Sequence, residues 1–340
     1  MEATVDIVIP WVDGSDRNWK NKKEKWTGIL QNVESKSLKD KSYDGDMRYR
    51  EYGTLKYLLR SIEKNASWIN HIYVITDNQT PEWLNVNNKK ITIVDHTEFI
   101  PKEYLPTFNT NTIELNLHRI KGLSEHFILV NDDMIFNNVT KKADFFRNGV
   151  PVDNLGFTII PSDNSFSHIL VNNMLIINRM FSKKEVLAKN FTKVFNVKNG
   201  WKLVLRSCLA IPWTGINGLY NPHISVPYLK SSFEYIWEKE FKILNETCAH
   251  KTRRFEDVSD WLIRYFQLCS GKFLVGKSNI GKFIEIDEYS KLCKELKDGS
   301  GHKVVCINDV EKKDVSFYAE RLSKLLDNIF PKLSEFEKID

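Results

Sequence analysis

The sequence predicts an α/β fold built on a mostly parallel central sheet flanked by helices. Three observations carry that prediction. Four short runs are almost continuously apolar and rich in β-branched residues, as strands buried on both faces require. Segments with helical periodicity lie between them, which is the alternation that crossover connections produce. Each run also ends in a polar or acidic group, where such sheets bind ligands, beyond the carboxyl ends of their strands.

The elements follow in order. Val5-Asp6-Ile7-Val8-Ile9 is a strand ended by Pro10. Leu55, Leu58, Leu59 and Ile62 recur at i, i+3, i+4, i+7, one face of a helix. His71 to Thr76 is a second strand, followed by Asp77, and Ile91 to Val94 a third, followed by Asp95-His96. Ile113, Leu117 and Ile120 predict a helix over about 109–121. Phe127 to Val130 is a fourth strand, and Asn131-Asp132-Asp133 follows it. Beyond it the chain turns at Asn148-Gly149-Val150-Pro151 and Pro161-Ser162-Asp163-Asn164. Helical periodicity returns at Val258, Trp261, Leu262 and Tyr265, and from Val315 to Ile329, with a loop at Lys297-Asp298-Gly299-Ser300-Gly301 between them. The second half is therefore largely helical. No repeat, low-complexity tract or linker divides the chain, so residues 1–340 read as one catalytic unit. About 1–160 forms a core and about 161–340 a second lobe.

Composition narrows the function. At 340 residues and 42% hydrophobic, the chain has ample material for a core and is not a disordered sequence. A net charge of +5 from 49 Lys+Arg and 44 Asp+Glu is too small to argue for nucleic acid, yet suits anionic substrates or lipid. No run approaches the ~18 apolar residues of a membrane helix. Met1 to Asp6 shows no basic segment leading into an apolar one, so no secretory signal is expected. Five cysteines without a CxxC pair suggest reduced thiols and a cytoplasmic location, with peripheral contact at the inner face of the membrane at most. Structural zinc is not expected.

Several constellations could carry chemistry. Asp132 and Asp133 are adjacent carboxylates after a buried strand, and their repulsion calls for a cation, a proton or solvent. A hard divalent ion shared with a diphosphate is one answer, a solvated turn the other. In Trp11-Val12-Asp13-Gly14-Ser15-Asp16, Asp13 and Asp16 flank a glycine that could let the backbone approach a nucleotide. An Asx-turn opening the next segment is the alternative. Asn111, Glu114 and His118, at i, i+3, i+7, would project together from the 109–121 helix, with Arg119 beside them. The pairs Arg48/Arg50 and Arg253/Arg254 supply guanidinium forks suited to phosphate, although Glu256-Asp257 could instead take the latter pair in local ion pairs. His223, between Pro222 and Pro227, is a catalytic or a structural histidine.

Together these segments resemble the Stealth family of sugar-1-phosphate transferases. That family includes bacterial capsule and cell-surface polysaccharide polymerases and the animal N-acetylglucosamine-1-phosphotransferase that marks lysosomal enzymes. Four blocks carry the resemblance. The first is Asp6 to Asp16. The second runs from Arg48-Tyr49-Arg50 through Leu59-Arg60-Ser61-Ile62-Glu63, Thr76-Asp77 and Leu105-Pro106-Thr107-Phe108-Asn109 to Asn131-Asp132-Asp133. The third holds His223 with Pro227, His250-Lys251-Thr252-Arg253 and Glu256-Asp257. The fourth is Cys306-Ile307-Asn308-Asp309, with Phe330-Pro331 and Ser334-Glu335-Phe336-Glu337. Two positions depart from the pattern: Asn78 stands where glycine is common, and Ser225 where proline is common.

The resemblance implies a fold like the nucleotide-sugar glycosyltransferases of the GT-A type, with Mg²⁺ or Mn²⁺. It implies a UDP-hexose or UDP-N-acetylhexosamine donor and an oligosaccharide or lipid-linked saccharide acceptor. The acceptor hydroxyl would attack the β-phosphorus, and UMP would leave. It further implies Glu114, Asp133, His223 and Arg253 as catalytic residues, and Asp132, Asp133 and Asp309 at the metal. Trp11, Asp13, Gly14, Asp16, Arg48, Arg50, Asp77, Asn111, His118 and Arg119 would bind the donor. His223 or Asp133 would be the base, and Glu114 would orient His223 or bind metal. An ordinary glycosyltransferase releasing UDP, or a binding module without catalysis, are the competing readings.

Overall fold

A computed structural model describes residues 3–33, 49–161, 166–297, 301–310 and 314–338. The expected Arg48, residues 162–164 of one predicted turn and 298–300 of the predicted loop lie outside the described residues. The strands are β1 (Val5–Pro10), β2 (Ile72–Thr76), β3 (Ile91–Asp95), β4 (His126–Leu129), β5 (Met134–Phe136), β6 (Phe146–Arg147), β7 (Val150–Asp153), β8 (Val226–Leu229), β9 (Leu274–Val275), β10 (Gly281–Glu285) and β11 (Val304–Asn308). Five of them make the central sheet in the order β3-β2-β1-β4-β8. The first four are parallel, and β8 runs antiparallel to β4.

The register explains the apolar runs. Ile7 stands opposite Ile72 on one side and Ile128 on the other. Alternate residues face opposite layers: Ile7 and Ile9 enter one core with the helix Thr54–Asn65, while Val8 enters the other with Phe127 and Leu129. Both faces of the inner strands β1, β2 and β4 are covered, so these runs must be almost wholly apolar, whereas the edge strand β3 exposes Thr92. Leu55, Leu58, Leu59 and Ile62 are 0–2% exposed, as their spacing predicts.

The second half is largely helical, with helices such as Ser167–Met180, Lys183–Val194, Trp201–Ala210, Trp261–Cys269 and Val315–Ile329. It is not a detached lobe. β8 completes the central sheet, β11 and β10 extend β5 into a second sheet, and β9 pairs with β7 in a third. Buried ion pairs also cross the halves. Arg60 donates from Nε and Nη2 to Glu337 at 2.8 and 2.7 Å, and Arg264 does the same to Asp153. Such pairs are strongly destabilising to break one-sidedly, because the remaining charge stays buried. No helix among the described residues is long and apolar enough to cross a membrane.

One predicted element is different. The helix expected over 109–121 is Thr110–Leu115 followed by a separate 3-10 turn, Leu117–Arg119. Asn116 sits between them at φ −100°, ψ 0°, and its side-chain amide donates to the Thr112 carbonyl at 2.8 Å. An asparagine that bonds its own backbone competes with helix continuation.

Candidate active site

A cleft of about 1130 Å³ opens beyond the carboxyl ends of the central strands. Trp11 after β1, Asp77 after β2 and Asn131-Asp132-Asp133 after β4 line it. Asn111, Glu114, His223, Arg253 and Asp260 line it as well, with Arg50 and Asp309.

The acidic pair is held by β11. The backbone N–H of Ile307 donates to the Asp133 carbonyl at 2.8 Å, and the Cys306 thiol approaches Asp133 Oδ2 at 3.6 Å. Asp133 Oδ1 is buried without a hydrogen-bond partner among the described residues. Burial pushes Asp133 up to about 6. Burial, then the charges of Asp133 and Glu51, push Asp132 well above the usual carboxylate range. Two crowded carboxylates with an unspent oxygen suit a hard divalent cation, which Mg²⁺-type sites hold with one or two carboxylates plus substrate phosphates. Asp309 reaches the same cleft, but its carboxylate accepts from Tyr52 Oη at 2.6 Å and from Arg50 Nη1 at 3.3 Å. Among the described residues no three acidic, histidine or cysteine groups converge as a metal cluster. The pair Asp132/Asp133 therefore fits a metal, whereas Asp309 orients Arg50.

A second carboxyl pair lies across the cleft. Glu114, half-buried, is hydrogen-bonded to the buried Asp260. Burial, then the Asp260 charge, raises Glu114 well above its ordinary range, and Arg253 offsets part of that. Burial pushes Asp260 up to about 6 even though Tyr228 Oη donates to its Oδ2 at 2.6 Å. Two such carboxyls cannot both ionise, so the pair retains one proton. Glu114 thus pairs with Asp260, where the sequence left it to orient His223 or bind metal.

Arg253 stands on a loop tied to the start of the Glu114 helix. Asp257 is fully buried and accepts from Asn109 Nδ2 at 2.8 Å, Asn111 Nδ2 at 3.4 Å and the backbone N–H of Arg254 at 2.9 Å. His250 Nδ1 lies 2.6 Å from its other oxygen. Phe108 N–H also donates to the Lys251 carbonyl at 2.7 Å. Asp257 is therefore occupied by the loop itself, and Arg253 rather than Arg254 lines the cleft. His223 is held at φ 50°, a left-handed conformation costly for a side chain of this size. Its ring meets Trp261 and Phe283 edge-on. Burial lowers its pKa, so the imidazole is neutral at pH 7 and free to accept a proton.

Residues 4–31 match Stealth protein CR1, conserved region 1, and residues 48–152 match Stealth protein CR2, conserved region 2. The capsular polysaccharide phosphotransferase WcwK of Streptococcus pneumoniae is 43% identical over 98% of both chains. The chain belongs to the Stealth family of polysaccharide phosphotransferases. It is thus a transferase, which sets aside the reading as a binding module. The exopolysaccharide phosphotransferase cps2G of Lactiplantibacillus plantarum is 36% identical over 98% of this chain and 96% of its own. The receptor polysaccharide phosphotransferase WefC of Streptococcus oralis is 36% identical over 98% and 99%. The crystal structure of the galactosyltransferase LgtC with donor and acceptor sugar analogues covers 97% of this chain and 98% of its own at TM-score 0.41 and 12% identity. That likeness is too slight to carry an assignment.

Asp13, Gly14, Asp16, His118 and Arg119, which the Stealth resemblance implied at the donor, are not among the residues lining the cleft. Asp13 accepts from the backbone and hydroxyl of Ser15 at 2.8 and 2.6 Å, and Asp16 accepts from Trp19 N–H at 2.7 Å. They form the Asx-type helix start that the sequence also allowed. Gly14 is required by packing, since a Cβ there would sit 2.0 Å from the Tyr49 carbonyl oxygen. His118 is 8% exposed, stacked on Phe233 and tilted against Trp237, with its pKa lowered to about 3 by burial. Arg119 donates to Asn116 Oδ1 at 2.9 Å and lies over Trp237. Glu114 lines the cleft, and neither His118 nor Arg119 is among its lining residues. Asp77 does line the cleft and pairs with Lys22 at 2.5 Å. Asn78 adopts φ 56°, so asparagine meets the left-handed backbone that glycine would have supplied. Sequence reasoning missed Asp260 and Glu51, and offered Asp257 only as an ion-pair partner for the arginines.

Proposed function

We propose that the enzyme transfers hexose-1-phosphate, or N-acetylhexosamine-1-phosphate, from a UDP-sugar to a hydroxyl of a saccharide acceptor. The product is a phosphodiester within a capsular or cell-surface polysaccharide. The acceptor oxygen bonds to the β-phosphorus, the bond from that phosphorus to the bridging oxygen breaks, and UMP leaves. The sugar's anomeric bond is untouched. One observation carries this reading. A single cleft sets a crowded acidic pair, Asp132/Asp133, with an arginine, Arg253, and a neutral histidine, His223. Phosphoryl transfer asks for alignment and for positive charge around the transferring oxygens.

In this scheme Asp132 and Asp133 hold Mg²⁺ or Mn²⁺, which would bind the diphosphate and offset its charge. Arg253 takes equatorial oxygens of the transferring phosphoryl group with its planar fork. His223 accepts the acceptor proton, since its imidazole is unprotonated at neutral pH. The Glu114–Asp260 pair holds one proton beside Arg253 and keeps the local charge at one negative unit. Trp11, Arg50, Asp77 and Asn111 line the remaining donor volume. Five unpaired cysteines support a cytoplasmic location.

The test is a donor screen with purified enzyme, scored by the nucleotide released. UMP, formed in step with a new phosphodiester, is the expected product. UDP in place of UMP would refute phosphotransfer and return the enzyme to ordinary glycosyl transfer.

A further inference from the structure

The helix Trp201–Ala210 is amphipathic in the unusual sense that its outward face is apolar. Leu203, Ser207 and Ala210 pack inward, with Ser207 Oγ accepting from Phe157 N–H at 3.0 Å. On the opposite side Trp201, Leu205 and Leu209, at i, i+4, i+8, are 72, 49 and 65% exposed. At 100° per residue, Lys202 and Arg206 fall between this apolar arc and the packed face. Trp213 follows at 60% exposure, and Lys183 Nζ fixes that segment by donating to the carbonyls of Ala210, Ile211 and Trp213. Of the sixteen large apolar side chains exposed among the described residues, nine fall between 159 and 213. On the helix itself Trp201, Leu205 and Leu209 form one exposed apolar arc, and an arc of that kind marks an interaction surface rather than scattered exposure.

Charge identifies what the surface meets. Residues 167–216 contain eight Lys and Arg against one acidic residue, Glu185. That segment carries a net +7, so the rest of a chain whose total is +5 is slightly negative. Lys184, Lys189, Lys198, Lys202 and Arg206 are exposed. An apolar arc bounded by lysine and arginine, with tryptophan near both ends, matches a bilayer interface with anionic headgroups. The surface also borders the cleft, since Arg206 and Ile159 line both.

The geometry points to a membrane-docking face: the helix Trp201–Ala210 inserts Trp201, Leu205 and Leu209 into the headgroup region of an anionic bilayer, with the flanking basic residues on the phosphates. Docking places the cleft mouth at the lipid surface. Its consequence for a lipid-linked acceptor rests on the function proposed above. Docking itself does not, and it can be read without turnover.

The experiment is vesicle flotation of the full chain, with phosphatidylglycerol-containing vesicles beside pure phosphatidylcholine. The enzyme should float with the anionic vesicles at low salt and be released by high salt. The double substitution Leu205→Asp/Leu209→Asp should lower the bound fraction at least ~tenfold. Its thermal midpoint and its turnover of a water-soluble acceptor should stay unchanged. Lys198→Gln/Lys202→Gln should weaken binding several-fold through the electrostatic contribution alone. Absence of flotation at low salt would overturn the proposal, as would binding that the aspartates leave unchanged. A stable dimer by light scattering that the same aspartates dissolve, without vesicle binding, would assign the face to a second copy instead and also overturn it.

Discussion

Glu114→Gln tests the proton held between Glu114 and Asp260. The amide keeps the size of the side chain and can donate to Asp260 as the protonated acid does, but it cannot exchange a proton. Above about pH 4.5 the unfolded chain has both carboxylates ionised, whereas the folded pair keeps one proton because burial and mutual repulsion raise both groups. Folding then takes up one proton, so wild-type stability falls as pH rises through the window between the unfolded and folded values. The slope is about 1.4 kcal/mol per pH unit. With an unfolding entropy of about 0.7 kcal/mol/K for a chain of this length, that is roughly 2 °C of Tm per pH unit. The glutamine variant lacks this slope. Its Tm relative to wild type should therefore rise by about 2 °C for each pH unit above the unfolded carboxylate range, for as long as the folded pair keeps its proton, in scanning calorimetry. At the same time kcat should drop at least ~100-fold if the exchangeable proton serves the reaction. A pH-independent Tm difference would refute the shared proton. Wild-type kcat would leave the pair a structural role only.

Two further outcomes follow from the opposite charges in the cleft. Arg253→Lys keeps the charge and loses the planar fork, so kcat should fall by about 10³-fold while donor affinity changes far less. Arg254→Lys, outside the cleft, should leave kcat near wild type, and equal effects of the two would show the arginine role to be wrongly placed. Chelation should abolish turnover and Mg²⁺ or Mn²⁺ should restore it. Asp132→Asn should raise the metal concentration needed for half-maximal rate, and full activity in excess chelator would remove the metal from the scheme.

The sheet was legible because parallel strands buried on both faces must be apolar along their length, and Val5–Pro10, Ile72–Thr76 and His126–Leu129 satisfy that in sequence. The acidic pair was legible for a related reason: Asp132-Asp133 directly follows such a run. The far wall was harder. A stripe of Asn111, Glu114 and His118 presumes an unbroken helix, and Asn116 breaks it, sending His118 into the aromatic core. Asn116 itself was the available signal, since asparagine in a helix interior often bonds its own backbone. Asp260 carried no signal. It lies 146 positions from Glu114, and only the fold brings the two carboxyls together. Asp257 was visible as part of Glu256-Asp257, but two of its four partners, Asn109 and Asn111, come from a distant stretch of chain.

The two walls of the cleft are each assembled before any substrate arrives. On one side, the N–H of Ile307 and the thiol of Cys306 clamp Asp133 to a strand of the second sheet. On the other, Asp257 ties Asn109 and Asn111 to the loop of Arg253, while Asp260 ties Glu114 to the start of the helix Trp261–Cys269. Neither wall depends on one long flexible side chain for its position. That matters for this chemistry, because a phosphoryl group in flight forms few covalent contacts with the protein and is stabilised by groups already in place. The cost is visible in the same contacts: crowded carboxylates at Asp132 and Asp133, a second carboxyl pair at Glu114 and Asp260, and a left-handed His223. Each is unfavourable alone, and all of them face one cleft. Strain and perturbed ionisation that collect in this way mark where a fold has given up stability for a reaction.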